Sequence, residues 1–88
     1  MSPDQLAIEV ARWLSKMLEH EVDPASPETN LAEAYDADSM DFVDIVEVLE
    51  QRYGVQIANS EVPNIKTFGD VLRLATRPSQ DNIKPRDI

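Results

Sequence analysis

The sequence predicts a central amphipathic helix in the stretch Asp38-Ser39-Met40-Asp41-Phe42-Val43-Asp44-Ile45-Val46-Glu47-Val48-Leu49-Glu50. Asp38 is a favourable N-cap, and its carboxylate and that of Asp41 both stabilise the positive end of the helix dipole. Apolar residues alternate with acidic ones at helical spacing, so one face is expected to pack and the other to be exposed. The face predicted to pack contains Met40, Val43, Val46 with Ile45, and Leu49. We expect the helix to span about residues 39–53 and to end at Gly54.

A first helix and a long loop precede this segment. Ser2-Pro3-Asp4-Gln5 predicts a helix start, with serine as N-cap, proline at the first helical position and glutamine completing a capping box. Apolar residues then recur at helical spacing to about Glu19. They are Leu6, Val10, Leu14 and Met17, flanked by Ala7, Trp13 and Leu18. Residues 20–37 contain Pro24 and Pro27 and are predicted to form a loop that Leu31 and Tyr35 attach to the core.

Two shorter helical segments follow the helix predicted over residues 39–53. Ser60-Glu61-Val62 predicts a short helix before Pro63, and Thr67 with Asp70 predicts the cap of a last helix that ends before Pro78. The inward residues of the last helix are predicted to be Phe68, Val71, Leu72 and Ala75. The fold class is therefore all-α, a small bundle of three main helices plus one short helix. We assign residues 1–76 to this domain and residues 77–88 to a polar, flexible tail.

Composition limits the possible partners. The 88 residues allow one small domain, and the absence of cysteine means that packing alone must stabilise it. The formal net charge is −9, and no Lys or Arg occurs between Lys16 and Arg52. Such a field repels nucleic acid and anionic lipid and attracts basic protein surfaces. We expect basic protein partners, no nucleic acid, no membrane insertion, a cytoplasmic location and a monomer when free. Charge alone is equally consistent with acids that only keep a small protein soluble.

Ser39 is predicted to be exposed on the first helical turn, among carboxylates. A hydrolase would need a base beside it, but His20 is the only histidine and no Gly-x-Ser-x-Gly motif occurs. His20 is expected to be solvated just past the first helix. The hydroxyl is therefore predicted to be a handle for another protein rather than a catalytic nucleophile.

A calcium loop is the other chemistry that the acidic segment suggests. Asp36, Asp38 and Glu47 stand at positions 1, 3 and 12 of a calcium-loop template. Met40 cannot bind calcium at position 5, and Asp41 replaces the glycine required at position 6. We therefore predict no dedicated metal site.

The segment that begins Asp38-Ser39-Met40 resembles the Asp-Ser-Leu motif and recognition helix of acyl carrier proteins, with Met40 in place of leucine. The resemblance covers roughly residues 3–76. It includes the long first loop, Gly54, Ile57, Ile65 and Thr67. In that family the serine carries 4'-phosphopantetheine, derived from coenzyme A, and the thiol of the cofactor holds an acyl group as a thioester. The resemblance implies that Ser39 is the attachment site and that the chain is a carrier and not an enzyme.

The resemblance also implies partners and a binding surface. The expected partners are a phosphopantetheinyl transferase and enzymes of fatty acid or related biosynthesis that load, extend or transfer acyl groups and have basic docking patches. The residues expected to be recognised are Asp38, Met40, Asp41, Asp44, Glu47 and Glu50. An interior cavity that shelters the acyl chain is expected to be lined by Met40, Val43, Val46, Leu49, Phe68 and Leu72.

Two positions depart from the family pattern. Asp36 replaces the glycine that commonly begins Gly-Ala-Asp-Ser, and Glu47 replaces an apolar residue common on the recognition helix. The second change favours partners other than the enzymes of ordinary fatty acid synthesis. The alternatives are therefore a dedicated polyketide, aminoacyl or peptidyl carrier, an acidic helical adaptor that never receives the cofactor, and a small calcium-binding protein.

Overall fold

The computed structural model describes residues 3–77. Its helices, in chain order, are α1 (Pro3–Leu18), α2 (Leu31–Tyr35), α3 (Ser39–Tyr53), a 3₁₀ helix (Asn59–Asn64) and α4 (Phe68–Ala75). The three longest, α1, α3 and α4, pack against one another, and the 3₁₀ helix packs against α3. The predicted all-α class is confirmed, and no strand lies between residues 3 and 77. The predicted N-cap Ser2 and residues 78–88 of the predicted tail lie outside the described residues.

The loop before α3 differs from the prediction, because it contains the helix α2. The Asn30 side chain caps this helix by accepting a hydrogen bond of 2.9 Å from the backbone N–H of Glu33. Leu31 is fully buried and Tyr35 is half-buried, so both anchor the segment as predicted. A helix of five residues is too short to show a hydrophobic period in the sequence.

Tertiary hydrogen bonds fix this loop beside the start of α4. Leu31 N–H donates to the Lys66 carbonyl at 2.8 Å, and Phe68 N–H donates to the Thr29 carbonyl at 3.0 Å. Gly69 N–H donates to the Pro27 carbonyl at 2.8 Å. A Cβ atom on Gly69 would lie only 3.0 Å from that carbonyl oxygen, so glycine permits the close approach. The loop therefore has a defined position relative to α4.

The predicted core face of α3 is confirmed only in part. Ile45 and Leu49 are fully buried, whereas Met40 is 67% exposed and Val43 is 46% exposed. Packing of Met40 and Val43 into the core was therefore a wrong prediction. Apolar residues occur on two adjacent stripes of this helix, and only the position of α1 and α4 decides which stripe is covered. The second stripe stays at the surface.

The remaining core predictions are largely confirmed. In α4, Phe68, Val71 and Ala75 are buried as predicted, whereas Leu72 is only half-buried and Leu74, which was not predicted, is buried. In α1, Trp13 is buried and Met17 is half-buried. The helices α1, α3 and α4 thus share one core.

A hydrogen-bonded chain of side chains joins α1 to the end of α3. Trp13 Nε1 donates to Tyr53 Oη at 3.2 Å, and the Tyr53 hydroxyl donates to Glu9 Oε2 at 2.5 Å. Burial of Tyr53 is the main cause that raises the pKa of the phenol, and its hydrogen bond to Glu9 raises the pKa further. The phenol is therefore protonated at neutral pH and donates to the carboxylate.

Candidate attachment site and docking face

Ser39 is the first residue of α3, and two carboxylates fix the backbone around it. Asp38 Oδ1 accepts from Asp41 N–H at 3.0 Å, and Asp41 Oδ2 accepts from Asp38 N–H at 3.0 Å. This reciprocal capping box confirms the predicted helix start and satisfies two backbone donors. Ser39 therefore sits on a rigid turn with its side chain exposed.

The Ser39 hydroxyl forms no hydrogen bond with any other residue in the range 3–77. His20 is exposed and its ring contacts Tyr35, at a centroid distance of 5.7 Å. No general base therefore activates this serine within the described part of the chain. The hydroxyl is accessible to the active site of another protein.

The turn between α2 and α3 explains why Asp36 can replace the glycine of the family pattern. Asp36 has φ 58° and ψ 31°, the left-handed conformation that glycine adopts without steric cost. Aspartate is one of the few other residues that tolerates this conformation, so it can stand where the family commonly has glycine. Asp36 N–H donates to the Ala32 carbonyl, and the next residue, Ala37, is buried. The turn thus directs the chain from α2 to Ser39.

Ser39 is one of the residues that line an open apolar groove of about 550 Å³. The groove lies between α2, α3 and the segment containing the 3₁₀ helix. Its lining includes Ala32, Phe42, Val43, Val62, Pro63 and Ile65. Glu33 and Lys66 are the charged residues that line it. Ser39 and an apolar surface are therefore adjacent.

The groove replaces the interior cavity expected from the sequence. Of the predicted lining residues, only Val43 contributes. Leu49 and Phe68 are fully buried in the core, and Met40 is at the surface. Sequence reasoning missed Ala32, Val62, Pro63 and Ile65, since the tertiary position of α2 and the 3₁₀ helix brings them to Ser39.

The predicted recognition residues divide into two groups. Asp44 and Glu47 are exposed and lie on α3 beside the exposed Met40 and Val43. We call these four residues the docking face. Asp38 and Asp41 instead cap the helix, and Glu50 is half-buried, where its Oε2 accepts from Ile57 N–H at 3.0 Å. Glu50 therefore holds the segment after α3 and is less available to a partner.

The described part of the chain contains neither a metal-binding cluster nor a membrane-spanning helix. No three His, Asp or Glu side chains between residues 3 and 77 cluster closely enough to hold a metal ion. None of the helices in that range has the length and apolar character needed to cross a bilayer.

Comparison with known proteins extends the sequence resemblance. Residues 9–75 match the family model described as a phosphopantetheine attachment site. The acyl carrier protein of Thermosynechococcus vestitus is 32% identical over 72 residues, covering 82% of this chain and 89% of that protein. The acyl carrier protein of Lactobacillus acidophilus is 31% identical over 72 residues, covering 82% of this chain and 90% of that protein. The acyl carrier protein of Acidothermus cellulolyticus is 28% identical over 72 residues, covering 82% of this chain and 86% of that protein.

The residues around Ser39 fit a covalently attached phosphopantetheine. An exposed hydroxyl can form a phosphodiester, and the free N–H groups of a helix start favour the negative charge of a phosphate. The apolar groove provides a surface for the rest of such a group. Together with the matched model and relatives, these features show that the chain belongs to the acyl carrier protein family, whose members bear covalent 4'-phosphopantetheine and act as carriers and not as enzymes.

Proposed function

We propose that Ser39 carries 4'-phosphopantetheine, added from coenzyme A by a phosphopantetheinyl transferase. The chain then carries acyl groups as thioesters to enzymes of fatty acid or related biosynthesis. The observation that supports this most strongly is the exposed Ser39 hydroxyl, which lines the apolar groove and forms no hydrogen bond with the other residues of the range 3–77. When bound, the cofactor supplies a thiol at the end of a flexible arm. The three relatives are acyl carrier proteins, which supports acyl groups as the cargo.

The groove is proposed to shelter the acyl chain. Phe42 and Val43 of α3 line it together with Val62 and Ile65, so an acyl chain there leaves water and gains apolar contact. Sheltering also keeps nucleophiles in solution away from the thioester. A short acyl group cannot reach far into the groove, whereas a longer one can.

Blocking the groove tests this role. Ala32 is exposed and lines the groove, whereas Ala34 is exposed on the same short helix and does not line it. We expect hydroxylamine to cleave the octanoyl thioester of the loaded protein several-fold more slowly than its acetyl thioester. Ala32→Trp should remove most of this difference, and Ala34→Trp should preserve it. Equal cleavage of the two thioesters in the unsubstituted protein would rule out the groove as the cargo site.

One observation favours a more specialised carrier. Glu47 is exposed on the docking face, where carriers of ordinary fatty acid synthesis commonly have an apolar residue. A polyketide, aminoacyl or peptidyl carrier is therefore the second candidate. Releasing the copurified thioester and identifying its acid by mass spectrometry distinguishes these cargo classes.

The docking face is proposed to bind basic patches on partner enzymes. Exposed charges accelerate encounter with a surface of opposite sign, and salt screens the effect. Asp44→Lys is expected to slow modification by the transferase roughly threefold to tenfold at low salt. Glu21→Lys is the matched control, because Glu21 is exposed outside α3 and the change in net charge is the same. Equal slowing by both substitutions would show that net charge, and not the docking face, governs association.

A further inference from the structure

The 3₁₀ helix forms one wall of the groove but has little packing of its own. It contributes Val62 and Pro63 to the lining, while none of its six residues is buried. Hydrogen bonds in a 3₁₀ helix have poorer geometry than those in an α-helix, so such segments are easily displaced. Contacts from elsewhere in the fold must therefore contribute to the position of this wall.

Glu61 and Arg77 supply such contacts. Arg77, just after α4, donates through Nη2 to Glu61 Oε1 at 2.5 Å and through Nη1 to Glu61 Oε2 at 3.1 Å. Nη1 also donates to the Gln56 carbonyl at 2.8 Å, before the 3₁₀ helix. Glu61 Oε2 further accepts from Ala58 N–H at 3.0 Å, at the cap of that helix. One arginine thus joins the end of α4 to both sides of the start of the 3₁₀ helix.

This ion pair differs from the other one in the described residues. The Arg77 and Glu61 side chains are 31% and 33% exposed, and 16 positions separate them. Arg73 and Asp70 also pair, but both lie within α4 and the Arg73 side chain is 74% exposed. The pKa of Glu61 is lowered to about 2, mainly by the hydrogen bond from Arg77 and in addition by the hydrogen bond from Ala58 N–H. The Glu61 carboxylate is therefore charged at neutral pH.

We propose that Arg77 and Glu61 form a latch that holds the 3₁₀ helix in place and thereby keeps this wall of the groove in contact with the cargo. Both are positioning residues, because they act through Val62 and Pro63 and do not line the groove themselves. The effect on cargo rests on the proposed function of the groove. The effect on the 3₁₀ helix rests only on the contacts of the latch.

Hydrogen exchange on the unmodified full chain tests the latch without any cargo. The Glu61 and Ile65 amides donate within or beside the 3₁₀ helix, to Ala58 and Val62 carbonyls. Arg77→Ala and Glu61→Gln should each raise exchange at these amides by roughly threefold to tenfold, while core amides such as that of Leu49 are unchanged. Arg77→Lys, which keeps the charge but not the planar pair of donors, should give an intermediate increase. Arg73→Ala is the control and should have no effect there.

Cleavage of the loaded thioester tests the consequence for cargo. Arg77→Ala should accelerate hydroxylamine cleavage of the octanoyl thioester and leave that of the acetyl thioester unchanged. Unchanged exchange in both latch variants, or equal acceleration at the Leu49 amide, would overturn the latch. So would the same increase in Arg73→Ala. If the octanoyl thioester is unprotected in the unsubstituted protein, the groove proposal fails, and the exchange result still decides the latch.

Discussion

Replacing Ser39 with alanine is expected to abolish the gain of one phosphopantetheine when the protein is incubated with coenzyme A and a broad-specificity transferase. The substitution removes the hydroxyl that is proposed to form the phosphodiester, and it leaves the Asp38–Asp41 capping box intact. Alanine is also a good helix former, so α3 should persist. Intact mass measures the modification, and circular dichroism measures the helical content.

Ser60 provides the control for this substitution. It is exposed, as Ser39 is, but it lies at the start of the 3₁₀ helix and not at the start of an α-helix. Ser60→Ala should be modified to completion. Modification that persists in Ser39→Ala and disappears in Ser60→Ala would move the attachment site to the 3₁₀ helix.

Replacing Phe68 with alanine is expected to destabilise the fold more than any single surface change. Phe68 is fully buried. Truncating a buried phenylalanine typically costs about 3–5 kcal/mol, because apolar burial is lost and a cavity remains. A domain of this size has a total unfolding free energy of roughly 4–13 kcal/mol, so the variant should be partly or wholly unfolded. Urea unfolding, monitored by circular dichroism, gives the difference in unfolding free energy between this variant and the unsubstituted protein.

Met40→Ala is the informative comparison for Phe68→Ala. The alternation of residues in α3 predicted that Met40 packs in the core, whereas its side chain is 67% exposed. A surface substitution is expected to change the unfolding free energy by less than about 0.5 kcal/mol. A loss of several kcal/mol in Met40→Ala would restore the predicted core face and contradict the observed one.

The features of the fold that were predicted correctly depend on local signals. Asp38 and Asp41 start α3, and Gly54, with φ 66°, ends it in the left-handed conformation. Thr67 and Asp70 likewise form the cap of α4 through reciprocal hydrogen bonds. Residues three or four positions apart determine each of these boundaries, so the sequence contains the information needed to place them.

The features that could not be predicted depend on residues far apart in the chain. The position of α2 requires the hydrogen bond from Leu31 to Lys66, and the wall of the groove involves the contact of Glu61 with Arg77. Arg77 was assigned to the tail because the polar residues from Thr76 onward offer little to bury. The assignment of residues 1–76 to the domain and of residues 78–88 to a tail stays a prediction.

The candidate site was predicted only in part, because some of its features depend on neighbouring residues and others on residues far apart in the chain. Ser39 and its capping residues are adjacent in sequence, so the helix start was recognisable. The role of Glu50 was not, because its hydrogen bond to Ile57 N–H forms only after the chain turns at Gly54. The two apolar stripes of α3 are equivalent in the sequence, and the bundle alone decides that Met40 and Val43 lie at the surface.

The most direct test is to locate the modification in the unsubstituted chain. The protein is incubated with coenzyme A and the transferase, digested, and its peptides are fragmented in a mass spectrometer. We predict one phosphopantetheine for each chain, on Ser39 in the peptide that contains Asp38-Ser39-Met40. Attachment at Ser60 or another serine, or no modification of a chain that is folded by circular dichroism, would contradict the assignment of Ser39 as the carrier residue.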